Sequence, residues 1–373
     1  MSDPVLVVGG AGFIGSHLVD ALLARGERVR VLDNLLEQAH PTGTARWLSK
    51  EAELVVGDMR DRNVVDRVLD GVAVVFHQAG MVGNGQSMYD VRRYTDVNAV
   101  GTATVLEAML ARRAQFRRFV VASSMVVYGD GAYRCEEHGV LDRALRPRER
   151  LDARKWEPVC SRCGQEVVPV ATHEDHALHP TSTYGISKLA QEQLALVLGR
   201  AHGLPTIALR YLNTYGSRQA MQNPYTGVAA IIAARLLNRR APVIFEDGQQ
   251  LRDFTHVSDV VRANLAAVDA PESALYLPFN IGTGKSVRIA DVARAIATEL
   301  GVDIAPTLTG EYREGDIRHC FADVSRARAL LGWSSRVPFA EGVVELASWA
   351  RGERPEDLTE RAHAELRAKN MIR

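Results

Sequence analysis

The sequence predicts an α/β chain built on a doubly wound parallel sheet, and three observations carry that prediction. Apolar, β-rich runs alternate with helical segments through residues 1–215. A glycine-rich turn joins the first of those runs to the first amphipathic helix. At 373 residues the chain also has room for a smaller mixed α/β domain on the carboxyl side of the sheet.

In chain order, "PVLVVGGAGFIGSHLVDALLARGERVRVLDN" reads as strand, glycine turn, amphipathic helix and second strand ending at Asp33. The runs "ELVVGD", "VAVVFHQAG", "FRRFVVASS" and "PTIALRYLN" repeat the pattern, each followed by helical spacing, as strands buried on both faces require. The alternation fails over residues 133–178, where charges, Pro147, Pro158 and Pro169 and three of the four cysteines gather. This segment is an insertion. Residues 216–350 carry shorter, mixed elements with turn signals such as "EDGQ" and "GTGK", and are assigned to a substrate domain with some segments returning to the sheet. Residues 351–373 are dense in charge and are expected to form a solvated terminal helix or a frayed tail.

Lys plus Arg (45) equal Asp plus Glu (45), so the chain lacks the net field that attracts nucleic acid or anionic lipid. Cys135, Cys160, Cys163 and Cys320 are too few and too clustered for a disulfide framework. No basic leader precedes the first strand, and "GVAAIIAARLL" is short and broken by Arg235, so a soluble cytoplasmic protein is expected.

Gly9, Gly12 and Gly15 stand at G-x-x-G-x-x-G spacing between a strand and a helix. Glycines there let the backbone approach a pyrophosphate, whose charge meets the free N–H groups at the helix start, as in the dinucleotide-binding Rossmann arrangement. Asp33, 18 residues beyond Gly15, is placed to accept from the adenosine ribose hydroxyls and to repel a 2′-phosphate, which favours NAD over NADP. Asp58, after the third strand, is expected near the adenine.

In "TSTYGISK", Tyr184 and Lys188 lie at i and i+4 on one helix face, with Thr181 or Ser182 as the cap. A phenol with a pKa of about 10 becomes a usable base at neutral pH when an ammonium and a cationic nicotinamide favour its anion. Ser124, closing its strand, could hold the hydroxyl that Tyr184 deprotonates.

At these residues the chain resembles the extended short-chain dehydrogenase/reductases, and among them the nucleotide-sugar epimerases. The likeness runs through "GGAGFIGSH", "VNAVGT", "SSMVVYG", "YGISK", "LRYLNTYG", "RDFTHVSDV", "FNIGTG" and "REGDIRH", in the family's order. It implies Ser124, Tyr184 and Lys188 as the catalytic trio. It further implies cofactor contacts from Phe13 and Ile14 in the glycine turn, Asn34 and Met59 beside the two aspartates, and Gln78, Ala79, Asn98, Ser123 and Tyr211 at later strand ends. Met125 would touch the substrate, Asn213 a substrate phosphate, and Arg252 and Arg313 would clamp the pyrophosphate, a match of guanidinium forks to phosphate. Family members commonly pair through the Tyr-x-x-x-Lys helix, so a homodimer is implied.

Sugar dehydratases of the family carry an acidic pair after the strand serine; here Met125, Val126, Val127 and Tyr128 follow. With no acid to expel water, the implied reaction is reversible C4 oxidation through a 4-keto sugar, giving an epimer. A net oxidoreductase, or a non-catalytic dinucleotide sensor, is the alternative.

Between Ser124 and Tyr184 lie 59 residues, far more than a strand-to-helix connection needs. Cys135-x-x-His138 precedes Gly139, and Cys160-x-x-Cys163 precedes Gly164, so each pair resembles a zinc knuckle. Three thiolates and an imidazole would close a structural tetrahedral site; a redox pair or chance neighbours are the other reading. Leaving the sheet after Ser124 and returning before Tyr184, the insertion is expected to wall the sugar pocket. Together with "YRCEEHG" and "REGDIRHCFAD" it resembles the branch of the family that interconverts dTDP-L-rhamnose and dTDP-6-deoxy-L-talose, with a UDP-hexose as the other candidate substrate.

Overall fold

The computed structural model describes residues 3–373. Its centre is a sheet of seven strands, all parallel. β1 (Val5–Val8), β2 (Val29–Asp33), β3 (Glu53–Val56), β4 (Val74–His77) and β5 (Arg118–Ser124) are joined by the strands Thr206–Tyr211 and Pro278–Ile281. Across the sheet the order is Pro278–Ile281, Thr206–Tyr211, β5, β4, β1, β2, β3, so the winding reverses between β1 and β4.

Both faces are covered, which is why the strands read as continuous apolar runs. Val5 and Val7 of β1 pack with α1 (Phe13–Ala24) and the helix Val257–Val268 on one face. Leu6 and Val8 pack on the other face with α2 (Arg62–Val68) and the helices Gly101–Leu110 and Thr183–His202. Beyond the carboxyl edge, the helices Val228–Leu237, Ile289–Leu300 and Phe339–Ala350 enclose a second apolar cluster. Pro278–Ile281, Val257–Val268 and the helix Ser325–Leu331 are parts of this later region that return to the sheet.

The insertion is a small β unit. Tyr133–Cys135 pairs with Gly139–Leu141 and Val168–Pro169, and Ala144–Leu145 pairs with Val159–Cys160. Its position corrects the expectation that it walls the sugar pocket. None of its described residues lines the cleft. It lies one layer behind, drawn there by charge: Arg146 pairs with Glu246, and Glu157 accepts from Arg318 Nε at 3.1 Å and from His319 at 2.9 Å. Burial would raise the Glu157 carboxyl, but the bonds from His319 and Arg318 prevail and hold it at about 2.

The charged C-terminal stretch also departs from expectation. Instead of a solvated helix or a frayed tail, it forms a helix, Thr359–Ala368, with Ala362 and Leu366 buried on one face. Asp357, ahead of it, is buried against Arg235 and Arg240 at 3.2 Å each. High overall charge concealed a few apolar residues at i, i+4 spacing. Among the described residues, no helix is long and apolar enough to cross a membrane.

Candidate active site

A cleft of about 990 Å³ opens at the carboxyl ends of the sheet strands, across the point where the strand order reverses. The glycine turn forms one end. Gly9 takes a left-handed φ of +82°, and a Cβ there would lie 2.6 Å from the Ala79 nitrogen; a Cβ on Gly15 would lie 2.1 Å from the Gly9 carbonyl oxygen. Those two glycines are required by the fold itself. Gly12 is different: its Cβ would meet only the Gly9 carbonyl, at 3.4 Å, and it starts α1 without a side-chain cap. The first-turn N–H groups, including those of Phe13 and Ile14, are therefore left for an anion, and the cradle fits a dinucleotide pyrophosphate.

Asp33, at the tip of β2, accepts from the N–H groups of Ala11 at 3.0 Å and Leu35 at 2.9 Å, which orients its carboxylate into the cleft rim. Asn34 donates to Asp58 at 3.3 Å. Asp58 is held below the usual carboxylate range by Arg60; α2 is capped by Asp61 instead, which leaves Asp58 on the cleft. Met59 also lines the cleft, packed so closely on Gly101 that a Cβ there would come within 2.7 Å of its methyl. Gln78 accepts from the Tyr211 hydroxyl at 3.1 Å and donates to Asn264 at 2.9 Å, a fixed polar wall next to Ala79.

One expected cofactor contact is placed otherwise. Asn98 is fully buried behind the cleft wall, with its side-chain amide spent on both backbone groups of Met81 and on Ser187. Ser123 does line the cleft, with its hydroxyl donating to Glu192 at 2.6 Å.

The trio converges. Ser182 caps the helix Thr183–His202 by accepting from Gly185 N–H at 3.0 Å, settling the choice between Thr181 and Ser182. Tyr184 and Lys188 point from that helix to Ser124 at the end of β5, and all three line the cleft. The Tyr184 phenol is hydrogen-bonded to Ser124, yet burial pushes it up to about 12. Burial pulls Lys188 down to about 7 against the opposing pull of Glu192. Burial therefore opposes the acidification expected of the phenol, which calls on the charge of a nicotinamide as well as that of the ammonium. Lys188 donates to the Ala122 carbonyl at 2.5 Å and to Gln191 at 2.6 Å. Gln191 and Glu192 were missed in the sequence, although they stand three and four residues beyond Lys188 on the same helix face.

Met125, Asn213, Arg252 and Arg313 also line the cleft. The buried Asn213 Oδ1 lacks a hydrogen-bond partner among the described residues. Arg252 donates to the carbonyls of Leu251 and Arg318 at 2.9 Å and to that of Ile317. Arg313 binds Asp316 through Nε at 2.7 Å and lays its guanidinium 4.8 Å over the Phe245 ring.

Away from the cleft, the ligand atoms of Cys135, His138, Cys160 and Cys163 lie within 4.8 Å of one another. Cys135 Sγ is 3.7 Å from Cys163 Sγ, and His138 Nδ1 is 3.5 Å from Cys135 Sγ and 3.6 Å from Cys160 Sγ. Zinc at the centre of a tetrahedron would set sulfur–sulfur edges of roughly 3.8 Å and sulfur–nitrogen edges of roughly 3.6 Å. Gly139 and Gly164 follow the pairs at φ +69° and +75°, the left-handed turn that glycine favours. These four residues could hold such an ion. Cys320 is apart from them, a buried thiol pushed up to about 12 by burial.

Residues 5–156 and 163–282 match the family described as "NAD dependent epimerase/dehydratase family". A dTDP-L-rhamnose 4-epimerase of Burkholderia thailandensis is 34% identical over 352 residues, 94% of this chain and 95% of that protein. The crystal structure of a UDP-glucose 4-epimerase with UDP-glucose, from Thermotoga maritima, superposes with a TM-score of 0.76 at 30% identity, covering 94% of this chain and 99% of the other. That of the Thermus thermophilus UDP-glucose 4-epimerase in complex with NAD gives 0.74 at 30% identity, with the same coverage. The glycine cradle, the tyrosine–lysine helix face and these likenesses lead to one conclusion: the chain belongs to the NAD-dependent epimerase/dehydratase family, among its nucleotide-sugar 4-epimerases.

Proposed function

We propose that the protein inverts C4 of a dTDP-activated 6-deoxyhexose, interconverting dTDP-L-rhamnose and dTDP-6-deoxy-L-talose. The observation that carries the inversion is the trio of Ser124, Tyr184 and Lys188 facing one cleft, with Met125, Val126 and Val127 following the serine where the dehydratases carry their acidic pair. The rhamnose assignment is supported by the Burkholderia relative and by the Cys/His insertion. A UDP-hexose is the second reading, favoured by the solved structure with UDP-glucose.

Bound NAD+ supplies the hydride acceptor for C4 and returns the hydride to it, leaving a 4-keto sugar in between. Tyr184 takes the C4 hydroxyl proton while Ser124 holds that oxygen. The Lys188 ammonium, anchored on Ala122 and Gln191, stabilises the phenolate, as a bound nicotinamide cation would. Asp33 holds the adenosine ribose, with Asp58 near the adenine. Arg252 and Arg313 clamp the diphosphate, and the side-chain NH2 of Asn213 donates to one of its oxygens. Turning the ketone about its diphosphate tether presents the other face of C4, and Tyr184 gives the proton back.

Zinc in the insertion serves structure: the insertion's own apolar core is little more than Tyr133, Leu141 and Val167 around the cysteines, too small to order the loop by itself. A homodimer through the helix Thr183–His202 is supported by Ile186 and Val197, each 58% exposed on it. Four free thiols suit a reducing cytoplasm.

The deciding experiment incubates the protein and NAD with dTDP-L-rhamnose, UDP-glucose and UDP-galactose and reads C4 configuration by NMR. Conversion of dTDP-L-rhamnose, with a C4 deuterium retained on the ring, is expected; turnover of the UDP-hexoses alone transfers the assignment to them. Tyr184→Phe should abolish turnover and keep NAD bound. Lys188→Met removes a positive charge from beside the phenol, raises its pKa, and so should move the acid limb of the kcat/KM profile to higher pH by about one unit or more. The double variant Cys160→Ser, Cys163→Ser should lose about one equivalent of zinc per chain, measured by atomic emission against the unaltered protein; unchanged metal content refutes the site.

A further inference from the structure

The C-terminal residues 359–373 belong to the cleft in a way that neither their composition nor the family's motifs suggest. Arg313 sits in the middle of a short antiparallel ladder with this segment, opposite Ile372. Tyr312 and Arg373 exchange backbone hydrogen bonds of 2.8 and 2.9 Å, and Glu314 N–H donates to the Met371 carbonyl at 3.0 Å. The guanidinium rests on Phe245, and Phe245 is itself packed in a cluster with Leu366 and Ile372. The same helix reaches the opposite wall: Leu366 covers Gly85, and Glu365 accepts from the Tyr89 and Tyr225 hydroxyls at 3.2 and 3.0 Å.

We propose that residues 359–373 form a positioning strap for the diphosphate end of the substrate site, in which Leu366 and Ile372 hold the Arg313 clamp through Phe245 and the backbone ladder. The inference rests on Arg313 contacting the diphosphate. Arginine, with four rotatable side-chain bonds, has rotamer freedom to lose when it grips a ligand. Fixing its backbone on one side and its guanidinium face on the other removes much of that loss before the ligand arrives, so affinity gains from preorganisation. Arg252 needs no such support, being tethered by carbonyls on its own and neighbouring strands. The glycine turn and Asp33, at the other end of the cleft, have no bond to the strap, so cofactor binding is independent of it.

The test compares Leu366→Ala, Ile372→Ala, Arg373→Pro and Arg313→Ala in the full chain with NAD bound, reading the Kd of dTDP and of UDP by calorimetry, the KM and kcat for the sugar turned over, and thermal stability. Arg373→Pro deletes one ladder N–H without touching the apolar cluster, and so serves if a core variant fails to fold. Each strap variant should weaken nucleotide diphosphate binding about five- to tenfold with kcat within about twofold and NAD retained. Added to Arg313→Ala, the strap changes should produce no further weakening, because their effect passes through that side chain. Unchanged Kd in the strap variants, with only a lower melting temperature, overturns the strap while leaving the clamp. Undiminished weakening in the Arg313→Ala background also overturns it. If Arg313→Ala alone leaves Kd unchanged, the clamp reading falls, and the strap's role falls with it.

Discussion

Glu192 is fully buried in the middle of the helix that carries Tyr184 and Lys188, and its carboxylate is shared by three elements. It accepts from Ser123 on β5 at 2.6 Å and from Arg210 on the neighbouring strand at 2.9 and 2.6 Å. Arg210 in turn donates to Tyr128 and to the Glu174 carbonyl. A carboxylate withdrawn from water is tolerated only with such partners, and removing one leaves a charge whose burial costs about 3–5 kcal/mol. What the pair contributes is therefore register more than stability. A helix shifted by one residue would strand Glu192, and Tyr184 would no longer meet Ser124. The approach of the Tyr184 phenol to Ser124 is set by an interaction that touches neither side chain.

The same helix face accounts for the electrostatic state of the site. Lys188, Gln191 and Glu192 form one buried polar row. Burial raises the Tyr184 phenol to about 12 and lowers the Lys188 amine to about 7, so both lean toward their neutral forms. The same low dielectric would magnify the attraction between an ammonium, a nicotinamide cation and a phenolate brought together there.

Local chemistry was legible in the sequence, and long-range packing was not. The Gly9–Gly15 turn, Asp33 and the Tyr184/Lys188 spacing could be read because each is short and dictated by backbone geometry at one place in the chain. Asn98 was assigned to the right wall but lies behind it, since motif position fixes a Cα and not the direction of a side chain. The insertion was recognised as a unit with metal-ligand spacing, and its docking was not, because the partners of Arg146 and Glu157 lie some hundred or more positions away, at Glu246, Arg318 and His319. Charges that are 160 residues apart give no periodic signal.

That docking determines what the insertion can do. Arg318 is 1% exposed and binds Glu157, Glu246 and Asp247, so one guanidinium joins the insertion to the segment that carries Arg313 and to the loop beside Phe245. Glu246 lines the cleft and Phe245 lies under the Arg313 guanidinium. Melting the insertion would strand a buried arginine with part of its anionic shell missing, and the segment 313–318 would relax to rehydrate it. The four-ligand cluster and the cleft wall at Arg313 and Glu246 are in this way mechanically continuous although no residue of the insertion reaches the cleft. A structural metal there would act on substrate affinity from behind the wall, leaving the trio on β5 and its helix in register.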